Sequence, residues 1–270
     1  MPVSIQALLA LAAALFGAII GSFINALSFR FNTGRGVLRA MSGRSRCMHC
    51  GHTLTALDLV PVFSFVFLRA RCRHCGSRIS WQYPLVELAA ALLSALVYLA
   101  TPEPLAYAFW FLVWMVLLFI VVYDVRHTII PWSCSGALAA LALLSMVVSF
   151  DGGIHAAPPS LWMFLAGPVL AAPLFLISLI SRGRWMGWGD SALELSLGWL
   201  LGLSTGLTAF MMAFWTGAAV GIALLAASRL GFFGYTIKSE VPFAPFLVLG
   251  AALAYFFHVD FFSTISFAAW

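Results

Sequence analysis

The chain has 270 residues, 63% of them hydrophobic and 9% charged, with a mean hydropathy of +1.03. That excludes an ordinary water-soluble globule, in which about 25% of residues are charged. The net charge of +5 comes from thirteen Arg and one Lys set against nine acids; it suits anionic lipid headgroups and does not call for a nucleic-acid partner.

A membrane span needs ~20 mainly apolar residues. Segments of that kind run at 4–28, 84–101, 105–123, 131–149, 160–181, 191–204, 206–228 and 242–258. The fold class expected is therefore an all-α polytopic membrane protein of about eight transmembrane helices. No basic residue precedes the first segment, so it reads as a retained span and not as a signal peptide. Nine of the fourteen basic residues lie in the polar stretch 29–83, among them Arg35 and Arg39. The others are Arg126, Arg182, Arg184, Arg229 and Lys238. Eight spans put all of them on one side and Glu103, Asp151 and Asp260 on the other. By the positive-inside rule, 29–83 is then cytoplasmic and both termini are outside.

Within the first span, Gly17 and Gly21 are spaced to let another helix approach closely, and Asn25 is a polar residue that needs a partner. Gly198 with Gly202 and Gly217 with Gly221 repeat the small-residue spacing. Gly167-Pro168 predicts a kink in the fifth span.

The loop 29–83 holds an internal repeat, Cys47-Met-His-Cys50-Gly51 and Cys72-Arg-His-Cys75-Gly76. Two residues between cysteines let both thiolates turn onto one metal, and two such knuckles make a tetrahedral zinc site. Disulfides fit a reducing cytoplasmic loop poorly. His49, His52 and His74 are alternative ligands that four cysteines make unnecessary. A 55-residue loop buries little apolar surface, so zinc is expected to supply much of its folding energy. Cys134 reads as a small apolar residue of the fourth span.

Two acids lie at the edges of apolar runs, where a carboxylate is expensive unless it works or is paired. Asp124 closes the third span, before Arg126, His127 and Pro131. It either pairs with one of those cations or does chemistry. Asp190 follows Gly187-Trp188-Gly189, whose glycines let the backbone bend around the acid; the plainer reading is an N-cap. Both acids fall on the cytoplasmic face, where two neighbouring carboxylates can share one proton and activate water. Glu194, four residues after Asp190, shares its helical face and is expected to support it. Glu240 and the Pro242-Phe-Ala-Pro-Phe246 segment lead into the last span.

Taken together, these segments resemble the bacterial prepilin peptidases, the Gly-x-Gly-Asp class of membrane aspartic proteases that process type IV prepilins and type II secretion pseudopilins. The resemblance rests on Gly21-Ser-Phe-Ile-Asn25 with Arg30, the two cysteine pairs, and Pro61. It also rests on Ile79 through Glu87, Asp124 with Pro131, Gly187-Trp-Gly-Asp190, and Pro242 through Phe246. It implies that Asp124 and Asp190 are catalytic, with Gly187, Gly189, Glu194 and Pro131 in support. One Asp would act as general base toward water while the other, protonated, polarises the scissile carbonyl. Cleavage itself would need no cofactor. The intact cysteine loop implies a second activity, N-methylation of the new N-terminus from S-adenosylmethionine, with Glu87 as a contributor. The organisation implied is a first helix at 1–28, a zinc-bearing cytoplasmic domain tied to methylation at 29–83, and a peptidase core at 84–270. The setting is the bacterial inner membrane, with the active site on the cytoplasmic side. Two departures stand out: Ala192 where family members commonly carry Lys, and Ala244 where they carry Gly. A proton-coupled transporter and a non-catalytic assembly scaffold are the competing readings. Internal inverted repeats, which a transporter should show, are not evident, and a dead relative should have lost an acid.

Overall fold

A computed structural model describes residues 3–31, 43–149, 155–156, 158–230 and 241–262. Arg35, Arg39, Asp151, Lys238 and Glu240 lie outside the described residues. The chain divides into two units, Met1–Val122 and Tyr123–Trp270.

The first unit holds α1 (Val3–Arg30), a 3-10 turn (Ala56–Leu59), a short α2 (Phe63–Phe67), α3 (Gln82–Ala100) and most of α4 (Pro104–His127). Helices α1 and α3 pack closely, and Gly17 and Gly21 are the reason. A methyl on Gly21 would lie 2.7 Å from Ala90 Cβ, and one on Gly17 would run into the Ala90 carbonyl. Backbone therefore packs directly on its neighbour, as small residues allow in membranes. The Ser94 hydroxyl, fully buried, donates to the Ala13 carbonyl at 2.6 Å and ties the same pair.

The second unit runs from the last turn of α4 through α5 (Trp132–Val147), α6 (Leu161–Ser181), α7 (Trp188–Arg229) and α8 (Ala244–Phe256). Helix α7 is its hub, packing against α5, α6 and α8. A two-stranded hairpin that the apolar pattern does not signal, β1 (Val148–Ser149) with β2 (His155–Ala156), joins α5 to α6 in antiparallel register Val148↔Ala156.

Each expected apolar segment is helical, but lengths differ from the simple picture. Among the described residues five helices are long and apolar enough to cross a membrane, while α5 and α8 are shorter. The expected segments 191–204 and 206–228 form one continuous stretch, α7, interrupted at Gly202 (φ 76°, ψ 177°). Only glycine adopts that backbone freely. Gly202 thus breaks a helix, and a methyl there would meet nothing within 4 Å among the described residues, whereas Gly198 lies against the Gly167 backbone. A methyl on Gly221 would also meet nothing within 4 Å among the described residues, so the small-residue spacing marks packing faces there only in part.

Helix α6 runs through Pro168 and Pro173 as one assigned helix. Proline at 168 deprives the Phe164 carbonyl of its donor. The Trp199 indole supplies one instead, donating to that carbonyl at 2.9 Å, and Gly167 leaves room for the ring.

Candidate active site and zinc centre

The two cysteine knuckles fold as copies of one another. In the first, Cys47 N–H donates to the His52 carbonyl (2.9 Å) and Gly51 N–H to the Cys47 carbonyl (2.9 Å). In the second, Cys72 N–H donates to the Ser77 carbonyl (2.8 Å) and Gly76 N–H to the Cys72 carbonyl (3.0 Å). Gly51 and Gly76 take φ of 70° and 69°, so both turns depend on glycine at the same step. A backbone bridge opens each copy, Arg46 to Thr53 and Arg71 to Arg78. The Sγ atoms of Cys47, Cys50, Cys72 and Cys75 lie within 4.8 Å of one another. Cys47 and Cys75 are 3.8 Å apart, too far for a disulfide and close to the sulfur separation of about 3.8 Å that tetrahedral Zn–S bonds of 2.3 Å imply. The four thiols therefore form a cluster compatible with zinc.

Local donors prepare two of the four thiols, whereas at Cys50 the His52 N–H is outweighed by burial and the neighbouring Cys47 and Cys75, which push that thiol up to about 11. The N–H groups of Cys50 and then His49 hold the Cys47 thiol down to about 6, and the Ser77 hydroxyl and N–H lower Cys75. His52 and His74 stack on each other, ring centroids 3.5 Å apart, and are not part of the four-thiol cluster. Asp58 braces the loop. It accepts from the Thr55 hydroxyl (2.7 Å) and pairs with Arg73 (2.9 Å), which together hold its carboxyl below the usual range.

The acids sit at helix ends in the second unit. Asp124 lies in the last turn of α4 and is buried. Its Oδ2 has no hydrogen-bond partner among the described residues. His127 packs on Tyr123 instead (4.4 Å). The N–H of Ala244 faces the Asp124 carboxylate. Ala244 is the first residue of α8, so its N–H has no partner within the helix, and the positive end of the helix dipole points the same way. This donor is the functional feature sequence reasoning missed, although the proline-bracketed segment marked its location.

Asp190 is the third residue of α7, and Gly187, not Asp190, is the N-cap. The Asp190 carboxylate reaches back toward the Gly187 N–H, as an acid at that position does in a capping box. The charge of Asp124 is felt at Asp190. Gly189 makes this approach possible: a methyl there would lie 2.8 Å from Ile130 Cβ. Ile130 belongs to the turn that carries Asp124 into Pro131, the N-cap of α5. Three helix ends thus meet around two acids.

Glu194 is buried at 2% exposure one turn further into α7. Ala192, between them, brings no charge. Exposed Trp132 and Trp185, with Arg182 and Arg184, stand on the segments flanking the acids, a composition typical of a membrane–water interface.

In the first unit Asn25 is fully buried, donating to the Tyr83 carbonyl (3.2 Å) and accepting from the Gln82 side chain (3.3 Å). Glu87 is also buried and accepts from the Val62 N–H at 2.8 Å. Val62 has φ 62° and ψ −49°, and Phe63 N–H closes onto the Pro61 carbonyl at 2.6 Å. That is a rare, strained γ-turn centred on a β-branched residue, and Glu87 holds it.

Fold and site together define a polytopic helical membrane protein with a four-cysteine cluster in one unit and an acid pair at converging helix ends in the other. Residues 15–101 match the family model described as Bacterial Peptidase A24 N-terminal domain. A prepilin leader peptidase/N-methyltransferase of Bacillus subtilis (strain 168) is 32% identical over 248 residues, 90% of this chain and 92% of the relative. Proteins of the same name from Burkholderia pseudomallei (strain 1026b) and Aeromonas hydrophila are 34% and 30% identical, over 81% and 89% of this chain and 69% and 88% of theirs. The chain belongs to the prepilin leader peptidase/N-methyltransferase family. No solved structure matches it.

Proposed function

We propose that this enzyme cuts the basic leader from type IV prepilins or pseudopilins with Asp124 and Asp190 as its catalytic pair, and N-methylates the residue so exposed. The observation that carries the reading is the Asp124 carboxylate: buried, with one oxygen lacking a partner, facing a helix N-terminus and interacting with a second acid. Buried polar atoms are normally satisfied, and an exception calls for an explanation. A water and a scissile carbonyl supply the missing partners. One carboxylate takes a proton from the water as its oxygen bonds to the scissile carbon, while the other, protonated, donates to the carbonyl oxygen; as the C–N bond breaks, the first passes its proton to the departing amine and the second recovers its own from the collapsing diol. Two adjacent carboxylates do not readily ionise together, which divides these roles between them. The Ala244 N–H and the N-terminus of α8 orient the Asp124 carboxylate toward the site.

In this reading the pair lies at the cytoplasmic interface of the inner membrane, and the Trp and Arg residues near the acids support an interfacial position. The substrate's apolar segment lies along the spans and its basic leader stays in the cytoplasm. Zinc in the four-cysteine site acts structurally, since four thiolates leave no open position. S-adenosylmethionine is the donor that methylation requires. The Glu87 carboxylate is committed to Val62, so its part is to hold the Pro61–Phe63 turn, and no transfer step is assigned to it. Nothing observed favours a transporter or a scaffold, since both acids are present and interact.

The test is cleavage of a prepilin in membranes carrying wild type, Asp124→Asn or Asp190→Asn. Either substitution is expected to lower cleavage by at least ~100-fold while insertion and zinc content are unchanged. Full activity in either variant rejects the pair.

A further inference from the structure

The cysteine loop carries an apolar prominence that neither peptide cleavage nor metal binding uses. Leu57, Val60, Phe63, Val66 and Phe67 are exposed over eleven residues, Phe67 at 83%. A loop whose task is only to fold around zinc gains nothing from displaying two phenylalanines. Contiguous exposed apolar surface of this kind marks an interaction site.

Three observations identify the occupant. First, the prominence is continuous with a lipid-facing surface. Phe65, on the inner side of α2, packs on Trp81 with ring centroids 4.9 Å apart. Trp81, 69% exposed, precedes Leu85, Leu88 and Leu92, all exposed at helical spacing along α3, a candidate membrane span. Second, the loop is attached at both ends to candidate spans, α1 ending at Arg30 and α3 beginning at Gln82, and Glu87 of α3 grips the Val62 N–H at the base of α2. The prominence therefore cannot leave the level of the membrane surface. Third, the chain following α2 is cationic: Arg69, Arg71, Arg73 and Arg78 are all exposed, and the Arg71–Arg78 bridge sets two of them side by side. Apolar residues beside arginines beside an interfacial Trp match an interfacial membrane anchor, which buries its apolar face ~5–10 Å into the headgroup and acyl boundary.

We propose that residues 57–67 dock into the interfacial layer of an anionic bilayer, Phe63 and Phe67 entering the acyl boundary and Arg71 and Arg78 binding lipid phosphates. The strained Val62 turn, held by Glu87, aims α2 at the lipid. The zinc domain is thereby fixed against the membrane at its own level and does not swing free in the cytoplasm.

The test uses the full chain in vesicles of phosphatidylethanolamine and phosphatidylglycerol that contain a phospholipid with a diazirine near the glycerol end of its acyl chain. After illumination, adducts are mapped by mass spectrometry. Adducts are expected on 57–67 as well as on α3, which serves as the internal standard. The Phe63→Ser/Phe67→Ser variant should lose about tenfold of the loop signal while keeping its zinc. Arg71→Gln/Arg78→Gln should reduce it severalfold in phosphatidylglycerol vesicles and not in purely zwitterionic ones. Labelled α3 with an unlabelled 57–67 overturns the proposal. So does a loop signal that survives both double variants, or cross-links from 57–67 to a second polypeptide in place of lipid.

Discussion

Gly189 shows how much of the site rests on atoms that are not there. Its missing side chain lets the first turn of α7 lie against Ile130, and so sets Asp190 beside the turn that carries Asp124. A methyl would meet the rigid, branched Cβ of a buried residue. Gly189→Ala is expected to lower both thermal stability, by ~1–3 kcal/mol of overpacking, and cleavage. Gly187→Ala is a different case. Its methyl would approach only the Asp190 carboxylate tip, at 3.1 Å, and the backbone there (φ −69°) accepts alanine. That variant should keep its melting temperature and lose turnover. Parallel thermal unfolding and prepilin cleavage assays separate the two, and equal stability losses would contradict the packing argument. Both acids were legible in the sequence because a carboxylate beside a hydrocarbon run is conspicuous. The Ala244 N–H was not, because a backbone donor has no letter of its own. Pro245 hinted at a helix start, but where that orphan N–H points is decided by packing.

At the scale of elements, the knuckles were the most legible feature and the helix joints the least. Spacing alone predicts that two Cys-x-x-Cys-Gly turns converge, since each turn is built by local hydrogen bonds that repeat residue for residue. Nothing local says whether the paired glycines in α7 pack or break it; Gly198 meets a neighbour, Gly202 does not, and only tertiary contact distinguishes them. Cys47→Ser or Cys75→Ser should release the metal and leave 43–81 sensitive to protease, measured by metal analysis and limited proteolysis. Retained zinc with an intact loop would contradict the four-thiol site. Acid should do the same reversibly, because protons compete with metal for thiolates. The Cys47 thiol is held at about 6, below its ordinary value of 9.0. A lowered value stabilises the folded loop above the ordinary range, and that contribution is lost as pH falls through about 6. Zinc release into a colorimetric chelator should therefore increase as the pH is lowered, and zinc retention that does not depend on pH would contradict it.

The molecule as a whole turns on whether α7 crosses the membrane once or twice. A straight helix of 42 residues would be about 63 Å long, twice the ~30 Å of a hydrocarbon core. The interruption at Gly202 divides it into limbs of 14 and 27 residues, Trp188–Leu201 and Leu203–Arg229. At its break, Ser204 donates to Asp260 at 2.7 Å, and Thr208 accepts from the Phe261 N–H at 3.1 Å. The break is thus tied to the chain just past α8. The first limb, Trp188–Leu201, is only about 21 Å long, so Asp190 stands near one end and the Asp260 cluster near the other. If both limbs cross, Arg184 and Arg229 share a side, and His258 and Glu103 share the other. Single cysteines introduced at these four exposed positions, in a background with Cys134→Ser and the zinc ligands protected by metal, can be labelled with an impermeant maleimide in intact cells and in inverted vesicles. Arg184→Cys and Arg229→Cys should react only in inverted vesicles, Glu103→Cys and His258→Cys only in intact cells. Labelling of Arg229→Cys in intact cells, with His258→Cys reacting only in inverted vesicles, would make α7 a single crossing and place the last basic residue of that helix outside. The charge asymmetry behind the proposed cytoplasmic position of the acids would then lose its consistency, and they would have to be sought on whichever face Arg184 proves to occupy.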